Sequence, residues 1–153
     1  MLAARQTAGL RVEDLSPGET ALLCAARAIA LGHADCALMQ GLLAHGAQDP
    51  DGALCHLLAF VRLIGWRGTR PIELRLPGSA SVSDDEVLML GALAAAEEAA
   101  GPGGSAQLDQ TVAALMGGRR DPSVAAAAIG LAAALGRPAR RGPAAAGAGY
   151  ACR

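Results

Sequence analysis

Five short helix-start signals punctuate this chain, and they constrain its fold more than any other feature. A helix leaves its first backbone N–H groups without partners, and a Ser, Thr, Asp or Asn just before it can accept from them. Ser16-Pro17-Gly18-Glu19 has such a cap, a proline in the first turn and a glutamate three residues on to complete a capping box. Asp35 caps a stretch carrying Leu38, Met39, Leu42 and Leu43, which ends at Gly46. Asp49-Pro50 and Asp121-Pro122 repeat the cap-then-proline signal. Ser83-Asp84-Asp85-Glu86 is the strongest start, a capping box with three acids at the positive end of the helix dipole.

Each signal leads into apolar residues at helical spacing. Leu22, Leu23, Ala26 and Ile29 share one broad face before the Gly32 stop. After Asp49 come Leu54, Leu57, Leu58, Val61 and Ile64, with Phe60 and Leu63 beside them. That stretch is apolar almost all round, broken only by His56 and Arg62, so it is expected at the centre of the fold. Gly101-Pro102-Gly103-Gly104 is the clearest break, and Leu108, Val112, Leu115 and Met116 come after it, up to Gly117-Gly118. Val124, Ile129, Leu131 and Leu135 line the last helix.

Two segments depart from helical spacing. Residues 9–13 and 72–76 alternate apolar and charged residues, the period of a half-buried strand. A strand needs a partner for its backbone groups, so the two segments are expected to pair with each other, or residues 72–76 across the edge of a dimer. The expected fold is mainly α: a compact bundle of about six short helices with a minor two-stranded β element at 9–13 and 72–76.

Composition agrees. The aromatic residues are Phe60, Trp66 and Tyr150, and the apolar content is mostly Ala and Leu, the strongest helix formers. The 153 residues fit one domain, which at this size buries roughly 70% of its unfolded surface. Residues 1–8 are expected to fray and 9–136 to form the helical domain. Residues 137–153, rich in Arg, Pro, Ala and Gly, have too little to bury and are expected to be disordered.

There is no Lys and no Asn, and every base apart from the histidines is Arg. This reads as the coding bias of a GC-rich bacterial genome, which makes each single Arg less informative. The formal net charge of −1 argues against a whole-molecule electrostatic binder of nucleic acid or membrane. Six Arg and one acid lie from Arg119 onward, so a mildly basic tail succeeds a mildly acidic body. No apolar run is long enough to cross a bilayer, and MLAARQTAGLRVED meets charge before an export signal could form. A cytoplasmic protein is expected, with Cys24, Cys36, Cys55 and Cys152 as free thiols.

No motif names a reaction, and an enzyme is not the expected reading. The candidate metal group is His33, Cys36, Cys55 and His56, because zinc takes thiolates and imidazoles with two ligands close in sequence. Against it, Cys55 and His56 point about 100° apart on one helix, and small buried thiols with histidines at helix ends are the plainer account. Cys36 comes just after its Asp35 cap, a position that lowers a thiol pKa, but the Asp35 anion opposes thiolate formation. The Gly101–Ser105 turn lacks the Lys-Ser/Thr ending of a phosphate loop. Glu97 and Glu98 read as a solvated face.

Two binding readings remain. Three helices and then an extended segment is the order of a winged helix, but the third helix here is too apolar to read a DNA groove. Arg67, Arg70 and Arg75 are candidate phosphate contacts, with Glu73 among them, and Arg137, Arg140 and Arg141 offer a weak polyanion site. Trp66, between Gly65 and Arg67, has the composition of a protein-interaction hot spot; its plainer role is a large core anchor. The leading expectation is a small non-enzymatic helical protein acting through a protein partner or self-association, with Trp66, Arg67, Arg70 and Arg75 as its candidate contacts. A metal- or thiol-dependent protein and a small nucleic-acid-binding regulator are the alternatives. No cofactor is expected in the leading reading, and zinc is the cofactor of the first alternative.

Overall fold

A computed structural model of the chain describes residues 9–33, 47–99 and 104–136. Within them the protein is mainly helical and compact, with five α-helices. The helices are α1 (Pro17–Ala30), α2 (Pro50–Arg67), α3 (Asp84–Glu98), α4 (Gly104–Leu115) and α5 (Pro122–Leu135). A single 3₁₀ turn, Val12–Asp14, precedes them. The helix expected after Asp35 lies outside the described residues, as do the 1–8 and 137–153 segments. No described helix is long and apolar enough to cross a membrane.

Four of the expected caps form. Ser16 Oγ accepts from the Glu19 N–H at 3.3 Å, and the Glu19 carboxylate accepts from the Ser16 N–H at 2.8 Å. Ser83 and Glu86 make the same reciprocal box at 3.2 and 2.8 Å. Asp49 accepts from Gly52 N–H at 3.0 Å, and Asp121 from Ser123 N–H at 2.9 Å. The stops work through left-handed backbone. Gly32 (φ +83°) lets the His33 N–H return to Ala28 C=O, and Gly117 (φ +76°) lets the Gly118 N–H return to Ala113 C=O.

The core lies where the five helices meet. It is built from Leu22 and Ala26 of α1, Leu57, Phe60 and Ile64 of α2, Met89 and Leu93 of α3, Leu108 and Val112 of α4, and Val124 and Leu131 of α5. α2 and α5 run antiparallel: the Asp49 N–H donates to Ala134 C=O at one end, and Arg67 pairs with Asp121 at the other. Their close approach is fitted by Gly130, where the His56 ring occupies the space a Cβ would take. Among the described residues the helix enclosed on most sides is α3, not α2. α3 packs against α1, α4 and α5, whereas α2 leaves Cys55, Arg62 and Trp66 exposed along its outer side.

The β expectation needs correction. Residues 72–76 belong to no regular element and make no strand pair with 9–13. Residues 9–13 instead meet 80–82 through one antiparallel bridge, Arg11 to Ser81, with Val12 N–H donating to Ala80 C=O and Val82 N–H to Leu10 C=O. The partners of 72–76 are side chains. Glu73 N–H donates to the Asp85 carboxylate at 2.7 Å and Arg75 N–H to that of Glu86 at 2.9 Å. Alternation correctly signalled one side facing the core, where Ile72 and Leu74 pack. Alternation cannot signal whether a strand or a pair of carboxylates receives the N–H groups.

Candidate functional site

The densest polar constellation sits at the start of α3. Arg27 of α1 is 1% exposed and Glu86 is fully buried. Arg27 Nε and Nη2 donate to the two Glu86 oxygens at 2.7 and 2.9 Å, a bidentate pair. Two further guanidinium donors reach Ser79 C=O at 2.9 Å and Ser81 C=O at 2.7 Å. Glu86 also accepts from the N–H groups of Ser83 and Arg75. Burial pushes the Glu86 carboxyl up, but Arg27 and these N–H groups outweigh it and hold the carboxyl below its ordinary value.

Asp85 is the second anchor. It takes a bidentate ion pair from Arg70 and the Glu73 N–H. Arg70 holds its carboxyl below the ordinary range against the opposing effect of burial. Ser83 Oγ donates to Glu73 C=O. The 70–83 loop is thus fastened to α1 and α3 by charge-assisted bonds, with no buried side-chain polar atom unpaired among the described residues. In its chemistry this arrangement is a clamp: Glu86 accepts four hydrogen bonds and Asp85 three, and both carboxyls are held below their ordinary values.

A third cluster lies at the junction of α2 and α5. Asp121, 3% exposed, caps α5 and lies 3.4 Å from Arg67 Nη1, which also reaches Ser123 Oγ at 3.2 Å. Arg119 donates to Arg67 C=O at 3.4 Å. Burial raises the Asp121 carboxyl, while the N–H groups of Ser123 and Val124 and the charge of Arg67 bring it below its ordinary value. Trp66 stands beside this cluster and is 80% exposed. It is therefore not a core anchor, the plainer role its size suggested.

His33 is exposed just after α1, Cys55 is exposed on α2, and the half-buried His56 turns its ring onto Gly130 of α5. Cys36 lies outside the described residues. Among the described residues no three His, Cys, Asp or Glu side chains are grouped to hold a metal ion. The candidate interaction arginines each face a carboxylate: Arg67 with Asp121, Arg70 with Asp85, and Arg75 with Glu73 at 2.7 Å.

Among the described residues, neither of two cavities is equipped to hold a ligand. An apolar void of about 10 Å³ among α1, α2 and α3, lined by Leu22, Phe60 and Met89, has room for about one water and no polar group to hold it. An open polar cleft of about 370 Å³ lies between residues 9–11, Glu73, Arg75 and 81–84. Its two cations are already paired, Arg11 with Glu13 and Arg75 with Glu73.

Sequence reasoning missed Arg27. Its signal was positional: it falls four residues after Leu23, a lone charge within an otherwise apolar arc of α1. No protein-family model matches this chain, and no curated protein or solved structure does.

Proposed function

We propose that the protein is a non-enzymatic binding module that works through protein–protein contact. One observation carries the reading: Trp66 projects 80% exposed from the end of α2, beside an arginine, Arg67, already held by Asp121 and Ser123. Trp and Arg are among the residues most enriched at binding hot spots, and groups held in place before binding lose less entropy when a partner arrives. A monomer with no contact to make gains little by holding its single Trp in water. A reducing bacterial cytoplasm fits the free thiols of Cys24 and Cys55 and the Arg-for-Lys composition.

The test compares wild type with Trp66→Ser in quantitative affinity capture, after circular dichroism has shown both to be folded. The expected result is a partner recovered by wild type and depleted about tenfold by the substitution, as for loss of a modest hot spot. Equal recovery of every captured protein would remove Trp66 from the reading. The indole also reports directly, since its emission moves to shorter wavelength when a captured partner is added back and covers it.

A further inference from the structure

We propose that residues 72–76 form an edge at which two copies of this chain pair, antiparallel about a two-fold axis through Leu74. The inference goes beyond the Trp66 reading and stands on the backbone instead. The N–H groups of Glu73 and Arg75 point inward to Asp85 and Glu86. N–H groups two residues apart that turn to one side are the alternation of an extended segment, so the backbone groups of Ile72, Leu74 and Leu76 point the other way. Among the described residues the N–H and C=O of Ile72 and Leu74 and the N–H of Leu76 have no hydrogen-bond partner. This leaves one open backbone edge from Ile72 to Leu76, between Pro71 and Pro77.

The side chains select both the occupant and the register. Glu73 and Arg75 are exposed on one face, while Leu76 is 68% exposed on the other. In an antiparallel pair centred on Leu74, Glu73 lies directly opposite the second copy's Arg75, and Arg75 opposite the second copy's Glu73. On the other face Ile72 lies opposite the second copy's Leu76, which covers that leucine. The two Leu74 residues exchange N–H to C=O bonds, and each Leu76 N–H meets the Ile72 C=O of the other copy. Centring the axis on residue 73 or 75 instead puts Glu opposite Glu or Arg opposite Arg. Centring it on 72 or 76 puts a charge opposite proline. The segment is complementary to itself in a single register, as an isologous interface requires.

Sedimentation of the full chain from micromolar to millimolar concentration tests this with three charge variants. Both side chains are solvent-exposed and the inward bonds use their backbones, so the variants should fold; circular dichroism checks that they do. Wild type should dimerise. Glu73→Arg and Arg75→Glu should each weaken the dimer about tenfold or more, because the symmetry places the like-charge clash twice. The double reversal Glu73→Arg/Arg75→Glu should dimerise like wild type. Mixing the two single variants should give a heterodimer tighter than either homodimer. A wild type monomeric throughout the range, single reversals that leave its dimer unchanged, or a double reversal that fails to restore it would each overturn the proposal.

Discussion

Arg27 and Glu86 are 59 residues apart in sequence and meet at 2.7 Å in a site closed to solvent. The pair ties the last turn of α1 to the first turn of α3, and its spare donors and acceptors draw in the Ser79–Ser83 backbone. A buried pair of this kind adds to stability only when its remaining polar groups are satisfied, and here they are.

Removing one partner should therefore be costly. Arg27→Met leaves Glu86 as an uncompensated buried charge and frees two carbonyls, and should cost about 3–5 kcal/mol in urea unfolding. That is a large share of a typical domain's stability. Many buried pairs can be replaced together by apolar residues without loss. Here Arg27→Met/Glu86→Leu should stay well below wild type, because the N–H groups of Ser83 and Arg75 and the carbonyls of Ser79 and Ser81 would lose their partners. Recovery to wild-type stability by the double variant would contradict this account of the clamp.

Acid should unfold the protein. Asp85, Glu86 and Asp121 all have folded-state pKa values below their ordinary ones. The unfolded chain therefore takes up protons more readily than the folded chain. The stabilisation is complete above the ordinary carboxylate range, about pH 4, and is lost as pH falls through the depressed values. The melting temperature should be flat near neutrality and fall steeply below about pH 4. Asp121→Asn keeps a capping oxygen but gives up the titration, so its melting temperature should fall less between about pH 5 and pH 3. A melting profile of Asp121→Asn parallel to that of wild type would mean Asp121 adds nothing to the acid sensitivity.

The contact of His56 with Gly130 should appear as a coupling. Gly130→Ala drives a methyl into the imidazole and should destabilise wild type by about 1–3 kcal/mol, as overpacking does. With His56→Ala the same change should stabilise by about 1 kcal/mol, the helix-propensity gain of Ala over Gly. A double-mutant cycle measures the difference, and independent, additive effects would show that the ring and the glycine do not touch.

How much of this was legible in the sequence depended on how far apart the interacting groups lie. Ser16, Asp49, Ser83 and Asp121 were readable as caps because a cap acts within four residues. Gly32 and Gly117 were readable as stops for the same reason. Glu86 was read as the third member of a capping box; that is true, and it hid a second role that needs Arg27, 59 residues away. A composition in which every strong base is Arg gave no reason to single Arg27 out. The alternating burial of Ile72 to Arg75 was legible from the sequence, but not the partners of their backbone groups, since side-chain acceptors leave no periodic trace. Trp66 shows the limit most plainly: on an apolar helix the burial of one position depends on which neighbours reach it, and Trp66 faces outward.

The fastening of residues 70–83 has a consequence for how the chain opens. Irregular segments normally exchange their amide hydrogens by small local fluctuations that leave the rest of the fold intact. The Glu73 and Arg75 amides cannot be released that way, since their acceptors are the carboxylates that Arg70 and Arg27 hold. Opening this loop strips Asp85 and Glu86 of N–H donors and takes from the buried Arg27 its two carbonyl acceptors. These two amides should thus exchange as slowly as those in the middle of α3, which makes an irregular stretch of chain part of the most cooperative unit of the protein.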